Sequence, residues 1–212
     1  MAEDSPAIVT ELDGAIAVIR FNNPAQRNPL SINTLHDLET VLSELTVRDD
    51  IRALIFTGTG DVFASGANIR ELAQLDSVSA LQFSQLGQRI FQTIADASQL
   101  TIAAINGYCM GGALDLALAC DIRVASESAV FSHPGARLGI ITGWGGTQRL
   151  PRVIGRARAI EFFATARRYR SAAALEMGLT SRVADPVIEC ALGLADSIGI
   201  RGGVTPPSGS RS

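Results

Sequence analysis

The residues that could do chemistry begin with a lone carboxylate. Residues 107–122 read GYCMGGALDLALACDI, an almost wholly apolar run with Asp115 inside it. An aspartate buried without a partner costs several kcal/mol or takes up a proton, so its presence there points to acid/base work. Gly111 and Gly112 stand at the expected start of a helix, with Asp115 one turn in on the same face. The first amide N–H groups of a helix lack internal acceptors and form its positive end, which suits a carbonyl oxygen that takes on negative charge. Glycine at those positions leaves the backbone open to a ligand. Close packing of the helix on a sheet, with Asp115 bonded to the helix start, fits the same residues equally well.

Two further stretches carry polar groups among glycines. Residues 64–70 read ASGANIR: small residues after a strand can offer another backbone N–H and an apolar shelf, and Arg70 can meet a phosphate from the rim. A tight loop with a surface arginine explains the same letters. Residues 131–151, FSHPGARLGIITGWGGTQRLP, read as a glycine-rich loop around the single Trp144. That indole either walls a pocket or serves as a structural anchor. His133 is a candidate acid or base in this loop, although a histidine that caps a strand end is the commoner reading. A serine hydrolase built on Ser65 or Ser132 with His133 and Asp115 lacks the G-x-S-x-G elbow.

The elements that must position these groups alternate. Ala7 to Leu12 and Ala15 to Phe21 read as paired strands about Asp13-Gly14, followed by a loop from Asn22 to Pro29. Ser31 caps a helix to Val47, with apolar residues at helical spacing. Arg52 to Thr57 and Thr101 to Asn106 read as buried strands, with a long helix from Ser79 to Ala97 between them and the Gly112–Ala119 helix after. Short strands follow at Asp121 to Ala125 and Ala129 to Ser132. Beyond Pro151 the pattern is helical, at Gly155 to Ala166, Ser171 to Met177 and Pro186 to Ile198, with a short strand near Arg182 to Ala184. Strand, glycine-bearing loop and helix in repeated order mark a layered α/β fold with its site on the loops after the strands.

Composition narrows the function. The 212 residues carry 18 basic and 21 acidic side chains, a net charge of −3 that offers no basic face for nucleic acid. Every basic residue is arginine, so Schiff-base and lysine-base mechanisms are excluded. Two histidines without nearby ligands of suitable spacing predict no metal. No run is apolar enough to span a membrane, and an odd number of cysteines in apolar surroundings, with no signal-peptide pattern at Met1, predicts a cytoplasmic protein with free thiols.

Taken together, the three stretches resemble the enoyl-CoA hydratase/isomerase, or crotonase, superfamily. FASGANIRE (63–71) is similar to its FAAGADIKE segment, INGYCMGGALDLA (105–117) to VNGYALGGGCELA, and LGIITGWGGTQRLPR (138–152) to LGIIPGAGGTQRLPR. The resemblance covers about residues 5 to 185. It implies a spiral of strand-strand-helix units forming two roughly perpendicular sheets surrounded by helices. Residues 1–185 are then an acyl-CoA-binding core, 186–200 the remnant of a C-terminal helical region, and 201–212, rich in Gly, Pro and Ser, a disordered tail.

By the family's pattern, the backbone N–H groups of Ala67 and Gly112 form an oxyanion hole for a thioester enolate, and Asp115 is the acid/base group. Ala25, Arg27, Ser65, Asn68, Ile69 and Arg70 line the coenzyme A side, and Trp144 is a further substrate-binding candidate. The resemblance further implies an acyl-CoA substrate, no cofactor beyond the coenzyme A it carries, and a homotrimer or hexamer. Two departures bear on the reaction. The first family glutamate is the shorter Asp115, and the second falls at Gly135. One carboxylate suits a double-bond shift better than hydration, which needs a group to activate water and a group to deliver a proton. An alternative is a non-catalytic acyl-CoA-binding or assembly subunit whose second glutamate is lost.

Overall fold

The branched apolar segments flanking Gly14 form the first hairpin, β1 (Ile8–Asp13) and β2 (Ile16–Phe21), in a computed structural model that describes residues 6–199. Asp13 pairs with Ile16, so the two-residue turn is Gly14-Ala15, one position later than expected, with Gly14 at φ +56°. The expected loop after β2 holds a 3-10 turn at Pro24–Gln26 and a two-residue strand, β3 (Pro29–Leu30). Helix α1 (Ile32–Leu45) starts where Ser31 accepts the Thr34 N–H at 3.1 Å, and buries Leu35, Leu38 and Leu42.

Strands β4 (Ala53–Gly58), β5 (Val62–Ala64) and β6 (Gly66–Ala67) lead into a short helix, α2 (Ile69–Leu72). Helix α3 (Ser77–Ala95) begins two residues before the expected Ser79. Asp76 is its cap, accepting the N–H groups of Val78 and Ser79, and the Ser79 hydroxyl oxygen accepts the Asp76 N–H in turn. Then come β7 (Leu100–Ile105), β8 (Tyr108–Met110) and α4 (Gly112–Ala119), followed by β9 (Ile122–Ala125) and β10 (Val130–Ser132).

After a 3-10 turn at Pro134–Leu138, residues expected as loop form a helix, α5 (Gly146–Ile154), with Pro151 inside it. Buried Leu150 and Ile154 hold α5 in place, and the Arg149 guanidinium donates to the Trp144 carbonyl and to Gln92 on α3. Packing therefore overrides the Gly and Pro signals. Helix α6 (Arg156–Thr165), β11 (Tyr169–Arg170), α7 (Ser171–Glu176), β12 (Arg182–Val183) and α8 (Val187–Gly199) complete the described chain.

The strands sort into two main sheets. The larger has the order β1-β2-β4-β7-β9-β12, parallel apart from the first hairpin. The smaller has the order β11-β10-β8-β5, and β3 pairs with β6 separately. Each turn of the chain thus places one strand in the large sheet and the next in the small one: β4 then β5, β7 then β8, β9 then β10. This is the expected α/β spiral with helices around it. One apolar cluster fills the space between the sheets and α1, α3, α4, α5 and α6. A second covers the other face of the large sheet, where Val187, Ala191 and Ala195 of α8 meet Ile55, Ile102 and Val124. Helix α8 therefore closes that face. The expected disordered tail at 201–212 lies outside the described residues.

Candidate active site

The site is built where the two small-residue stretches meet. Gly66 adopts φ +86°, and a Cβ there would lie 2.5 Å from the Met110 carbonyl oxygen and 3.0 Å from the Gly112 nitrogen. Only glycine permits that approach, which brings β6 against the start of α4. Ala67 and Gly112 consequently share one wall of a cavity of about 340 Å³, of the size that holds small-molecule ligands. Gly112 is the first residue of α4, so its N–H has no acceptor within the helix.

Behind Gly112 lies Trp144. Its indole is almost fully buried, donates to the Phe83 carbonyl at 3.2 Å, and packs on the rings of Phe83 and Phe91. A Cβ on Gly112 would fall 2.2 Å from this indole, and one on Gly87 would fall 2.4 Å from it. Trp144 thus forms part of the cavity wall and also explains two glycines. Both readings of this residue are realised together.

Asp115 is fully buried, as its apolar surroundings require, and is not bonded to the start of α4 through its side chain. Thr142 donates a short hydrogen bond to its Oδ2. Its Oδ1 has no hydrogen-bond partner and lies 3.6 Å from His133 Nε2, which is equally buried and equally unpartnered. The start of α5 closes around the carboxylate: a Cβ on Gly146 would sit 1.9 Å from Oδ1. Asp115 itself does not line the cavity. The side chains that do, and that stand beside it, are His133 and Thr142.

His133 directly follows β10 and precedes the 3-10 turn without a side-chain cap bond. Its ring packs edge-on against Phe163 at 5.1 Å and lines both the first cavity and a second one of about 470 Å³. The segment 138–142 has taken up the room beside Gly135, since a Cβ at 135 would be 2.7 Å from the Ile140 carbonyl oxygen. Close by, burial holds the Cys109 thiol well above its usual range, and the negative charge of Asp115 adds to the effect.

Of the other expected site residues, Ser65 and Ile69 line the cavity with Ala67. Ala25, Arg27, Asn68 and Arg70 do not. Ala25 and Arg27 are exposed on the 3-10 turn, which Asn28 ties to the site: its carbonyl accepts the Ser65 N–H, and its side chain bonds the Val62 and Phe63 carbonyls. Asn68 caps α2 and donates to Glu71, and Arg70 is exposed beside it. Thr142 was not expected. Its signal lay in the quoted segment, where this chain has threonine in place of proline. Among the described residues no cluster of three His, Cys, Asp or Glu side chains is placed to hold a metal ion, and no helix is long and apolar enough to cross a membrane.

Known proteins resemble this chain in sequence and in fold. Residues 11–197 match the family described as enoyl-CoA hydratase/isomerase. The chain is 36% identical over 180 residues to a short-chain-enoyl-CoA hydratase of Clostridium acetobutylicum, covering 84% of this chain and 69% of the relative. Identity and coverage are the same for a crotonyl-CoA hydratase of Syntrophomonas wolfei. The chain therefore spans about two thirds of these relatives' length. The crystal structure of an enoyl-CoA hydratase from Bacillus anthracis superposes with a TM-score of 0.89 at 34% identity, over 93% of this chain and 78% of that one. With the family matched across nearly all of the described residues and the fold shared with its members, the chain belongs to the enoyl-CoA hydratase/isomerase (crotonase) family.

Proposed function

We propose that this protein acts on an acyl-CoA thioester, moving charge onto the thioester oxygen and a proton to or from the adjacent carbon. The backbone N–H groups of Ala67 and Gly112 hold the resulting enolate, and the acid/base centre is built on Asp115. The observation that carries this reading is the fully buried Asp115 carboxylate with a free Oδ1, one turn into the helix whose first residue lies at the cavity wall. A preorganised pair of amide donors stabilises such an oxyanion by several kcal/mol. Membership of the family and the relatives named for enoyl-CoA hydration support the substrate class. Assembly as a trimer or hexamer belongs to the same reading, supported by exposed Leu138, Ile140, Ile141 and Ile160.

The test is hydration of crotonyl-CoA beside the shift of a 3-enoyl-CoA to its 2-enoyl isomer, with wild type and Asp115→Asn. At least one activity in the wild type, reduced 100-fold or more in the variant while acyl-CoA still binds, is the expected result. Binding without either activity in the wild type contradicts it and points to an acyl-CoA-binding subunit.

A further inference from the structure

The sequence offers one carboxylate for chemistry that asks for two proton-handling groups, and that carboxylate stops short of the cavity. Two buried polar atoms nevertheless face each other without hydrogen bonds, Asp115 Oδ1 and His133 Nε2, 3.6 Å apart. Leaving both unsatisfied costs free energy that a purely structural pair would recover by closing the gap or by apolar replacement. The surroundings hold each member still: Thr142 fixes Oδ2, the start of α5 abuts Oδ1, and Phe163 packs against the imidazole. The other ring nitrogen, Nδ1, lies beside Gly135, where a Cβ would be 3.4 Å from it. His133 and Gly135 line both cavities, so the imidazole stands where they adjoin.

We propose that His133 is the group that exchanges protons with the substrate, and that Asp115 acts through it as a positioning carboxylate. The inference rests on the acyl-CoA reading above. The Asp115 carboxylate 3.6 Å from Nε2 favours the tautomer protonated at that nitrogen, which leaves the Nδ1 lone pair free. In hydration, Nδ1 takes a proton from water as the water oxygen bonds C3 of the enoyl thioester. The C2–C3 π electrons move onto the thioester oxygen, held by the Ala67 and Gly112 amides. The Nδ1–H then returns the proton to C2, the enolate electrons form the new C2–H bond, and the ring is neutral again. One water is added and nothing else is consumed. Asp115 balances the transient imidazolium charge across the 3.6 Å contact. A single relay base thus performs both proton steps, which a lone aspartate at that depth does not.

The test measures hydration and isomerisation in wild type, Asp115→Asn, His133→Gln and His133→Gly, the last with and without added imidazole. The proposal expects His133→Gln to lower kcat for hydration by about 10²–10⁴-fold with KM changed less than about 3-fold, and imidazole to restore part of it in His133→Gly. The wild-type protein supplies a second readout, because the chain has only two histidines and His36 is exposed. With ¹⁵N-histidine labelling, saturation with acetoacetyl-CoA shifts His133 Nδ1 and leaves His36 unchanged. Hydration within about 3-fold of wild type in His133→Gln while Asp115→Asn is inactive overturns the inference but keeps the acyl-CoA reading, as does an unmoved His133 ring on saturation. Wild type that neither binds nor turns over acyl-CoA removes the reading and the inference with it.

Discussion

Replacing Thr142 with valine removes one hydroxyl and keeps the side chain's shape, which isolates the hydrogen bond to Asp115. The carboxylate has Thr142 on Oδ2 and nothing hydrogen-bonded to Oδ1, so the variant leaves a fully buried carboxylate with no donor at all. A hydrogen bond to a charged group contributes about 1.5–3 kcal/mol, and an unsatisfied buried acceptor costs a similar amount. The Trp144 amide also loses its 3.4 Å contact with the hydroxyl, a smaller effect at that length. The expected destabilisation is about 2 kcal/mol, which with a urea dependence of about 2 kcal/mol per molar lowers the unfolding midpoint by about 1 M. Thr142→Ser keeps the donor and should recover most of the loss. In an Asp115→Asn background the cost of Thr142→Val should shrink, giving a coupling of about 1–2 kcal/mol in a double-mutant cycle. A valine variant within about 0.5 kcal/mol of wild type, or a serine variant equally destabilised, would show that the hydroxyl does not hold the carboxylate.

Further predictions concern the neighbours of the pair. Gly135→Glu restores the carboxylate of the family pattern in sequence, but its Cβ meets the Ile140 carbonyl at 2.7 Å. We expect a loss of stability of about 1–3 kcal/mol and no gain in hydration, measured by urea unfolding and the crotonyl-CoA assay. The thiols give a pH test. Burial pushes the Cys120 thiol up to about 12, so the folded protein keeps a proton that the unfolded chain releases near its ordinary value of 9.0. Its contribution to stability is full below about pH 9 and is lost through pH 12 by up to ~1.4 kcal/mol per unit, so the urea midpoint should fall between pH 8 and pH 10. At pH 8 the native protein should present at most one of its three cysteines to a disulfide reagent, because Cys109 and Cys120 are buried.

What the sequence could show follows the range of the interactions. The Ser31 cap, the apolar periodicity of α1 and the glycines opening α4 are local signals, and those elements lie where they were expected. Asp115 was legible because one charge in an apolar run is a local anomaly. Its contacts were not, although His133 was a candidate acid or base: Thr142 is 27 residues away, His133 is 18 away, and neither spacing has a periodicity that announces contact. Helix α5 was hidden for the opposite reason, since Gly145, Gly146 and Pro151 read locally as loop while Leu150, Ile154 and Arg149 hold the segment helical through distant contacts. Asn28 shows the same limit. A left-handed asparagine in a polar loop reads as a turn, yet it is buried and bonds carbonyls 34 and 35 residues on.

The proposed function requires this site to make and hold a thioester enolate. Exchange of the C2 hydrogens of butyryl-CoA in D₂O, followed by proton NMR, tests it without depending on which overall reaction the enzyme completes. The account predicts enzyme-dependent loss of the C2 signal, slowed at least 100-fold in Asp115→Asn while butyryl-CoA binding persists. Butyryl-CoA that is bound by the wild type but exchanges no faster than in buffer would contradict it.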